Sequence, residues 1–192
     1  MNFLKRYKVF EKISLAMEFW HGGILEESYD KKTQKRGRYE SGPGLYLTTH
    51  YETARKYAKG GRKMYKVTIE EGTDLNDVKI SIDDVKRFVS NNVVSRKRKD
   101  VNKSLDLHNR GGFVKAYILN NSLINNDALR PSRTGELVQF FLEQGIDYQI
   151  VENAFVWGER VLVLYNMKKL INKTIIRFGD KIETFDLPTD FS

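Results

Sequence analysis

Three short segments hold the side chains whose types and spacing could do chemistry together. In chain order they are residues 19–23 around His21, residues 42–49 around Tyr46, and residues 157–166 around Glu159. A fixed carboxylate stabilises positive charge that develops in a transition state, and aromatic faces attract cationic rings. The combination suits cleavage of a bond whose transition state carries positive charge.

Each of these segments lies on a predicted strand. The sequence predicts strands over residues 18–20, which lead into His21, over 45–48, which carry Tyr46, and over 161–165, which follow Glu159. Residues 51–59 predict a helix directly after the second segment, with Gly60-Gly61 as its stop signal.

The other predicted elements are mixed helices and short strands. They are an amphipathic helix over 1–17, a strand over 64–69, a helix from an N-cap at Ser81 to about Asn92, a strand-like segment over 113–119, a helix over 134–144 stopped by Gly145, a strand over 146–151, and a hairpin of 175–178 with 182–185. Residues 26–42 are predicted as a basic loop and residues 95–112 as a mobile loop. Because neither a regular strand–helix alternation nor a glycine-rich phosphate motif is present, we expect an α+β domain with mostly antiparallel strands.

Composition limits the classes of function. The 192 residues fit one domain, the net charge is +8, and the chain has no cysteine. Disulfides and thiolate nucleophiles are therefore excluded, and three histidines without an HExxH spacing argue against a metal site. No signal peptide or apolar run long enough to span a bilayer is visible, so we expect a soluble cytoplasmic protein without a membrane partner.

The ordered combination of motifs resembles the NAD-binding core of the diphtheria-toxin and poly(ADP-ribose)-polymerase branch of ADP-ribosyltransferases. That branch is marked by a His-Gly strand end, a Gly-x-Tyr strand followed by a helix with a second tyrosine, and a glutamate at the start of a late strand. Here Tyr46 follows His21 by 25 positions, and Tyr57 follows Tyr46 by 11. The resemblance covers roughly residues 18–70 and 135–170. It implies a split, mostly antiparallel sheet with flanking helices, in one domain over 1–192 with its NAD-binding core at 18–178.

The resemblance also implies a role for each site residue. His21 would hydrogen-bond a ribose hydroxyl on the adenosine side of NAD⁺, and Gly22 would pair with the nicotinamide carboxamide through its backbone. Tyr46, introduced by Gly44 of the motif, and Tyr57 would stack on the nicotinamide ring. Glu159 would hydrogen-bond the 2′-hydroxyl of the nicotinamide ribose and stabilise the oxocarbenium character of C1′.

The sequence departs from the branch pattern at two positions. Gly23 follows the His-Gly pair where the branch often has Ser or Thr, and Ala54 replaces a serine that helps hold the nicotinamide amide. Thr53 or Thr49 could replace that hydroxyl. The acids that compete with Glu159 for the catalytic role are Glu143, Glu152 and Glu183.

The resemblance implies transfer of a single ADP-ribose from NAD⁺ to a protein, RNA or DNA acceptor, and this reaction needs no metal. It also implies a role as a toxin, phage or defence effector, which would have an antitoxin or immunity partner. Trp157 stands where the arginine-modifying branch has Gln or Glu, which disfavours arginine as the acceptor. Two basic runs, with Lys35, Arg36 and Arg38 in one and Arg96, Lys97 and Arg98 in the other, are candidates for holding a phosphate backbone. Two alternatives stay open: an RNA 2′-phosphotransferase-like enzyme, and a module that binds NAD⁺ or nucleic acid without turnover.

Overall fold

The protein is described from a computed structural model that covers residues 16–25, 41–58, 63–177, 180 and 186–187. Eight strands lie in these residues: β1 Ala16–Gly23, β2 Leu45–Thr48, β3 Lys63–Glu70, β4 Lys79–Ser81, β5 Phe113–Lys115, β6 Tyr148–Glu152, β7 Arg160–Leu164 and β8 Leu170–Ile176. The described α-helices are α1 Tyr51–Tyr57, α2 Ile82–Asn92, α3 Arg98–His108, α4 Ala116–Asn125 and α5 Thr134–Glu143. The α+β class and the antiparallel sheet predicted from the sequence are confirmed.

The main sheet has six antiparallel strands in the order β6-β7-β2-β1-β3-β8. Strands β1 and β3 pair along their whole length, whereas β1 and β2 pair only at Trp20 and Thr48. The sheet is therefore divided between β1 and β2 into two halves of three strands each.

Strand β7 is buried on both faces and separates two hydrophobic clusters. Val161 and Val163 face the helices α2 to α5, while Leu162 and Leu164 face a second cluster that includes Phe19 of β1. Such a continuous apolar run is what a strand covered on both faces requires. The start of β7, which Glu159 immediately precedes, is consequently fixed from both sides of the sheet.

The chain between β3 and β6 forms a helical insert on one side of the sheet. It contains the two-stranded sheet of β4 and β5 together with α2, α3, α4 and α5. The predicted bounds of α2 and α5 are confirmed, and Gly145 adopts a φ of +74° just past α5, as its helix-stop role requires. Ser81 holds the N-cap position of α2, but its side chain makes no capping hydrogen bond.

The insert also holds two errors of the sequence-based prediction. Residues 95–112 are not a mobile loop, because α3 buries Val101 and Leu105 at helical spacing and leaves the basic residues outside. Residues 116–119 are not strand but the start of α4, which buries Ala116, Leu119 and Leu123 along one face.

The predictions for the two ends of the chain lie partly outside the described residues. The helix expected over 1–17 lies outside the described residues except for Ala16 and Met17, which begin β1, where Met17 and Phe19 alternate into the core. Of the hairpin expected from 175–178 with 182–185, residues 175 and 176 are strand, as the end of β8, and 182–185 lie outside the described residues. Strand β8 begins earlier, at Leu170, and pairs with β3. Strand β8 is mostly exposed at the edge of the sheet, so its residues carry no alternating apolar pattern.

Candidate active site

The structure places the three predicted site residues on neighbouring strands near the division of the sheet. His21 is in β1, Tyr46 is in β2, and Glu159 immediately precedes β7, which pairs with β2. More than a hundred residues separate Glu159 from the other two in sequence. Pairing of β2 with β7 brings Glu159 beside Thr48 of the tyrosine strand, and His21 meets that strand at the backbone carbonyl of Tyr46.

His21 connects the two halves of the sheet through its side chain. Its Nδ1 lies 2.9 Å from the carbonyl oxygen of Tyr46, and its Nε2 lies 3.3 Å from that of Ile24. Both partners are carbonyl oxygens, which only accept, so a neutral ring donates to one of them, and the shorter contact assigns the proton to Nδ1. Burial lowers the pKa of His21, against the raising effect of the two backbone contacts. In the neutral form favoured by burial, Nε2 faces the carbonyl oxygen of Ile24 without donating to it, so a ligand hydroxyl must displace this carbonyl to donate to Nε2.

The phenol of Tyr46 is held by the two residues that enter its strand. Its hydroxyl donates to the carbonyl oxygen of Gly42 at 2.6 Å and accepts from the amide of Ser41 at 3.0 Å. On the other side, Asn120 of α4 donates to the carbonyl oxygen of Ser41 at 2.9 Å and to Oε1 of Gln149 at 2.9 Å. The helical insert thereby helps to fix the segment that orients Tyr46.

Glu159 is 0% exposed, and both of its carboxylate oxygens are bound. Thr48 Oγ1 donates to Oε1 at 2.5 Å, and the amide of Val156 donates to Oε2 at 3.3 Å. The same Thr48 hydroxyl accepts from the amide of His50 at 2.9 Å, which orients its proton towards the carboxylate. The end of β2 thus fixes the position of Glu159.

A tight turn between β6 and β7 covers the carboxylate of Glu159. Asn153 and Gly158 both have positive φ, of 52° and 81°, and the amide of Gly158 donates to Asn153 Oδ1 at 2.8 Å. The tip of this turn carries Trp157, whose side chain is 90% exposed. Because the amide of Val156 in this turn is bound to Oε2, a ligand that binds this oxygen must displace the amide.

Two of the predicted cofactor-binding glycines have steric reasons to be glycine. A Cβ on Gly22 would lie 1.7 Å from the carbonyl oxygen of Ala54, so α1 packs directly on the backbone of β1. A Cβ on Gly44, whose φ is +155°, would lie 2.5 Å from a methyl group of Val163. Both glycines therefore permit close approach of backbone segments around the candidate site.

The remaining predicted residues on helix α1 differ from one another in how far they are buried. Thr53 and Ala54 are buried, with Ala54 directly above Gly22, whereas Tyr57 near the end of the helix is 54% exposed. Thr49 is also buried, and its hydroxyl accepts from the amide of Arg160 at 3.0 Å. The exposed ring of Tyr57 is accessible to a ligand, whereas the Thr49 hydroxyl is engaged with β7.

The alternative acids are placed less favourably than Glu159. Glu152 is exposed and pairs with Arg160 at 3.0 Å, and Glu143 is exposed at the end of α5, where Gln139 donates to it. Glu183 lies outside the described residues. Glu159 is the one of these three described acids that lies beside the β2 strand of Tyr46.

The residues predicted to hold nucleic acid are only partly described. Lys35, Arg36 and Arg38 lie outside the described residues. Arg96 and Lys97 form a short 3₁₀ turn before α3, and Arg98 begins that helix with its Nε bound to the carbonyl oxygen of Val93 at 3.0 Å. The structure does not bring these three residues into contact with the trio.

Sequence reasoning missed two residues of the site, Thr48 and Asn120. Thr48 could have been found, because the two-residue period of a strand places it on the same face as Tyr46. No sequence pattern marks Asn120 as a site residue, because the pattern predicts a strand that ends one residue earlier, at Leu119. Its burial at 0% exposure is visible only in the structure.

The described residues hold neither a metal cluster nor a membrane-spanning helix. The described part of the chain has no cluster of three or more His, Asp or Glu that could bind a metal, and none of its helices is long and apolar enough to cross a membrane. Comparison of the chain with protein-family models, with curated proteins and with solved structures found no match.

Proposed function

We propose that this protein transfers a single ADP-ribose from NAD⁺ to a macromolecular acceptor and releases nicotinamide. The observation that carries the proposal is the placement of His21, Tyr46 and Glu159 on the neighbouring segments β1, β2 and β7, as the motif resemblance requires. The proposal includes the ADP-ribosyltransferase fold itself, which the divided antiparallel sheet supports.

The state of His21 suits its proposed contact with NAD⁺. With Nδ1 donating to the carbonyl oxygen of Tyr46, the neutral imidazole accepts at Nε2 once the carbonyl oxygen of Ile24, 3.3 Å away, moves aside. A ribose hydroxyl is a donor of the required kind. The same hydrogen bond fixes the imidazole relative to strand β2. The proposed contacts of His21 with the ribose and of Tyr46 with the nicotinamide ring therefore both depend on the backbone of β2.

Glu159 supplies the electrostatic part of the reaction. The bond between C1′ of the ribose and the nicotinamide nitrogen breaks, and nicotinamide leaves as a neutral molecule with the bonding electron pair. A nucleophilic atom of the acceptor bonds to C1′ and releases its proton to water. The carboxylate stabilises the positive charge on the ribose between these events, and its bond to Thr48 fixes its position in advance.

Catalysis of this kind requires a movement of the turn that covers Glu159. The amide of Val156 occupies Oε2, the oxygen that does not bind Thr48. A ribose 2′-hydroxyl that donates to the carboxylate would replace this amide, while the bond from Thr48 is retained. The weaker bond, 3.3 Å against 2.5 Å, is the one that must open.

The test is incubation of the purified protein with NAD⁺ labelled in its adenylate half, in separate reactions with RNA, DNA and cell-lysate protein. The proposal predicts release of nicotinamide and a mass increase of one ADP-ribose on one class of acceptor. Release without label on any acceptor indicates hydrolysis of NAD⁺, and no release in any reaction contradicts the proposal.

The complete burial of Glu159 favours a second candidate function, a module that binds NAD⁺ without turnover. The replacement of the expected serine by Ala54 is consistent with it. Titration calorimetry with NAD⁺ separates the two candidates, because the binding module predicts heat of binding with no nicotinamide in the recovered sample.

A further inference from the structure

The two-stranded sheet of β4 and β5 has one buried and one exposed face. Ile80 and Val114 are cross-strand partners and point into the core of the insert. The alternation of a strand places their neighbours on the opposite, exposed face, where Lys79 is the partner of Lys115. The next pair along this face is Ser81 with Phe113. We call the exposed surface formed by Lys79, Ser81, Phe113 and Lys115 the lysine-pair face.

Lys79 and Lys115 form an unfavourable pair in the protein by itself. Cross-strand partners have Cβ atoms about 5 Å apart, and like charges at this distance destabilise a sheet. Within the described residues the ammonium of Lys79 makes no ion pair, and the ammonium of Lys115 lies 5.7 Å from the centre of the Tyr117 ring. The first turn of α4, which follows Lys115, contains no acid. An anion held between the two ammonium groups would remove this repulsion.

Phe113 adds an aromatic surface to the same face. Its side chain is 50% exposed, although β5 has a buried face available to apolar residues. Phe113 and Lys115 are two residues apart on one strand, which corresponds to about 7 Å. An aromatic ring and a pair of cations at this spacing can contact a base and a nearby phosphate of the same nucleic-acid strand.

We propose that the lysine-pair face binds single-stranded nucleic acid, with a phosphate between Lys79 and Lys115 and an unpaired base stacked on Phe113. Single-strand binding surfaces combine these two elements, cations along the backbone and an aromatic ring under a base. An acidic peptide would neutralise the lysines but would leave the exposed phenyl ring without a partner. The face lies on the insert and does not depend on the transferase activity proposed above.

The test measures binding of fluorescently labelled oligo(U) and oligo(dT) to the full chain, without NAD⁺, by fluorescence anisotropy over a series of salt concentrations. A Phe113→Ala variant is expected to bind about tenfold more weakly with the same salt dependence, because it removes stacking alone. A Lys79→Gln, Lys115→Gln double variant is expected to bind about tenfold more weakly and to reduce the log–log salt slope by about 0.7, the value for one phosphate on a single strand.

Two control variants test whether binding depends on this face or only on the positive charge of the whole protein. Lys168→Gln removes an exposed lysine outside the insert, and Lys79→Arg retains the cation. Both are expected to bind as the wild type does, and thermal unfolding checks that every variant is folded. The proposal is overturned if the wild type does not bind either oligonucleotide at low salt, if the double variant binds unchanged, or if polyglutamate displaces oligo(U) at lower concentration than unlabelled oligo(U) does.

Discussion

The hydroxyl of Thr48 donates a hydrogen bond of 2.5 Å to the carboxylate of Glu159, 111 positions later in the chain. It also accepts from the amide of His50, which leaves its own proton for the carboxylate. Because Glu159 is fully buried, this bond and the one from Val156 give partners to carboxyl oxygens that would otherwise be buried without any. Thr48 therefore links the tyrosine strand to the proposed catalytic acid.

Replacing Thr48 with Val removes this hydroxyl at nearly constant volume. We expect the free energy of unfolding to fall by about 1 to 3 kcal/mol, because the buried carboxylate and the His50 amide each lose a partner. Release of nicotinamide should also slow, since Glu159 is no longer held in place. Urea unfolding and a nicotinamide assay measure the two effects. Thr68→Val, a half-buried threonine of β3, is the control, and an equal loss in both variants would show that the bond has no special role.

Asn120 connects the helical insert with the segment that orients Tyr46. In an Asn120→Ala variant the carbonyl of Ser41 and the amide oxygen of Gln149 lose a buried donor, so we expect a loss of about 3 kcal/mol in unfolding free energy. If the variant folds, its KM for NAD⁺ should rise more than its kcat falls. The exposed neighbour Asn121→Ala should stay within about 0.5 kcal/mol of the wild type. Similar stability of the two variants would remove the proposed link.

Burial of His21 predicts a stability that depends on pH. The unfolded imidazole takes up a proton near the reference pKa of 6.5, whereas burial lowers the pKa of His21 in the folded protein. Between the two values the unfolded chain binds more protons, so the free energy of unfolding should decrease as pH falls below 6.5, by at most about 1.4 kcal/mol per pH unit. Above pH 6.5 this contribution is complete.

Urea unfolding at a series of pH values measures the effect. His21→Asn, whose amide can replace the Nδ1 donor, should have a flatter profile than the wild type between pH 6.5 and the folded pKa. The exposed His108→Asn variant should retain the profile of the wild type. Parallel profiles for the wild type and His21→Asn would contradict the prediction.

Gly22 is predicted to tolerate no side chain. In Gly22→Ala the new Cβ would lie 1.7 Å from the carbonyl oxygen of Ala54, which belongs to the backbone of α1 and cannot rotate away. We expect a loss of at least about 3 kcal/mol in unfolding free energy. Gly158→Ala, where a Cβ has open space but φ is +81°, should lose about 1 kcal/mol. Thermal unfolding distinguishes the two variants, and an equal loss would show that the contact with α1 is not close.

The fold could be predicted where the chain signals local structure strongly. The β2 strand of Leu45–Thr48 is found as predicted, and the helices α2 and α5 agree closely, because apolar spacing and flanking glycine define them. Helix α3 was hidden by its basic residues, since only Val101 and Leu105 face the core. Apolar periodicity is weak when a helix buries such a narrow face.

The site could be predicted as a set of residues but not as a set of contacts. The order of His21, Tyr46 and Glu159 was visible because each lies in a short motif, and the sheet then brings their strands together. The bonds that hold them come from Thr48 and Asn120. Long-range pairing decides these contacts, so a local pattern contains no information about which hydroxyl meets which carboxylate.

The most direct test of the account compares nicotinamide release by Glu159→Gln and Glu152→Gln. The first variant keeps the size of the buried side chain and an oxygen that can accept from Thr48, but it removes the charge. The second removes an exposed acid whose partner is Arg160 on the surface. We predict that Glu159→Gln reduces the rate of release by about 10² to 10³ while Glu152→Gln keeps nearly the full rate. A Glu159→Gln variant that is folded and releases nicotinamide at the rate of the wild type would contradict the assignment of Glu159.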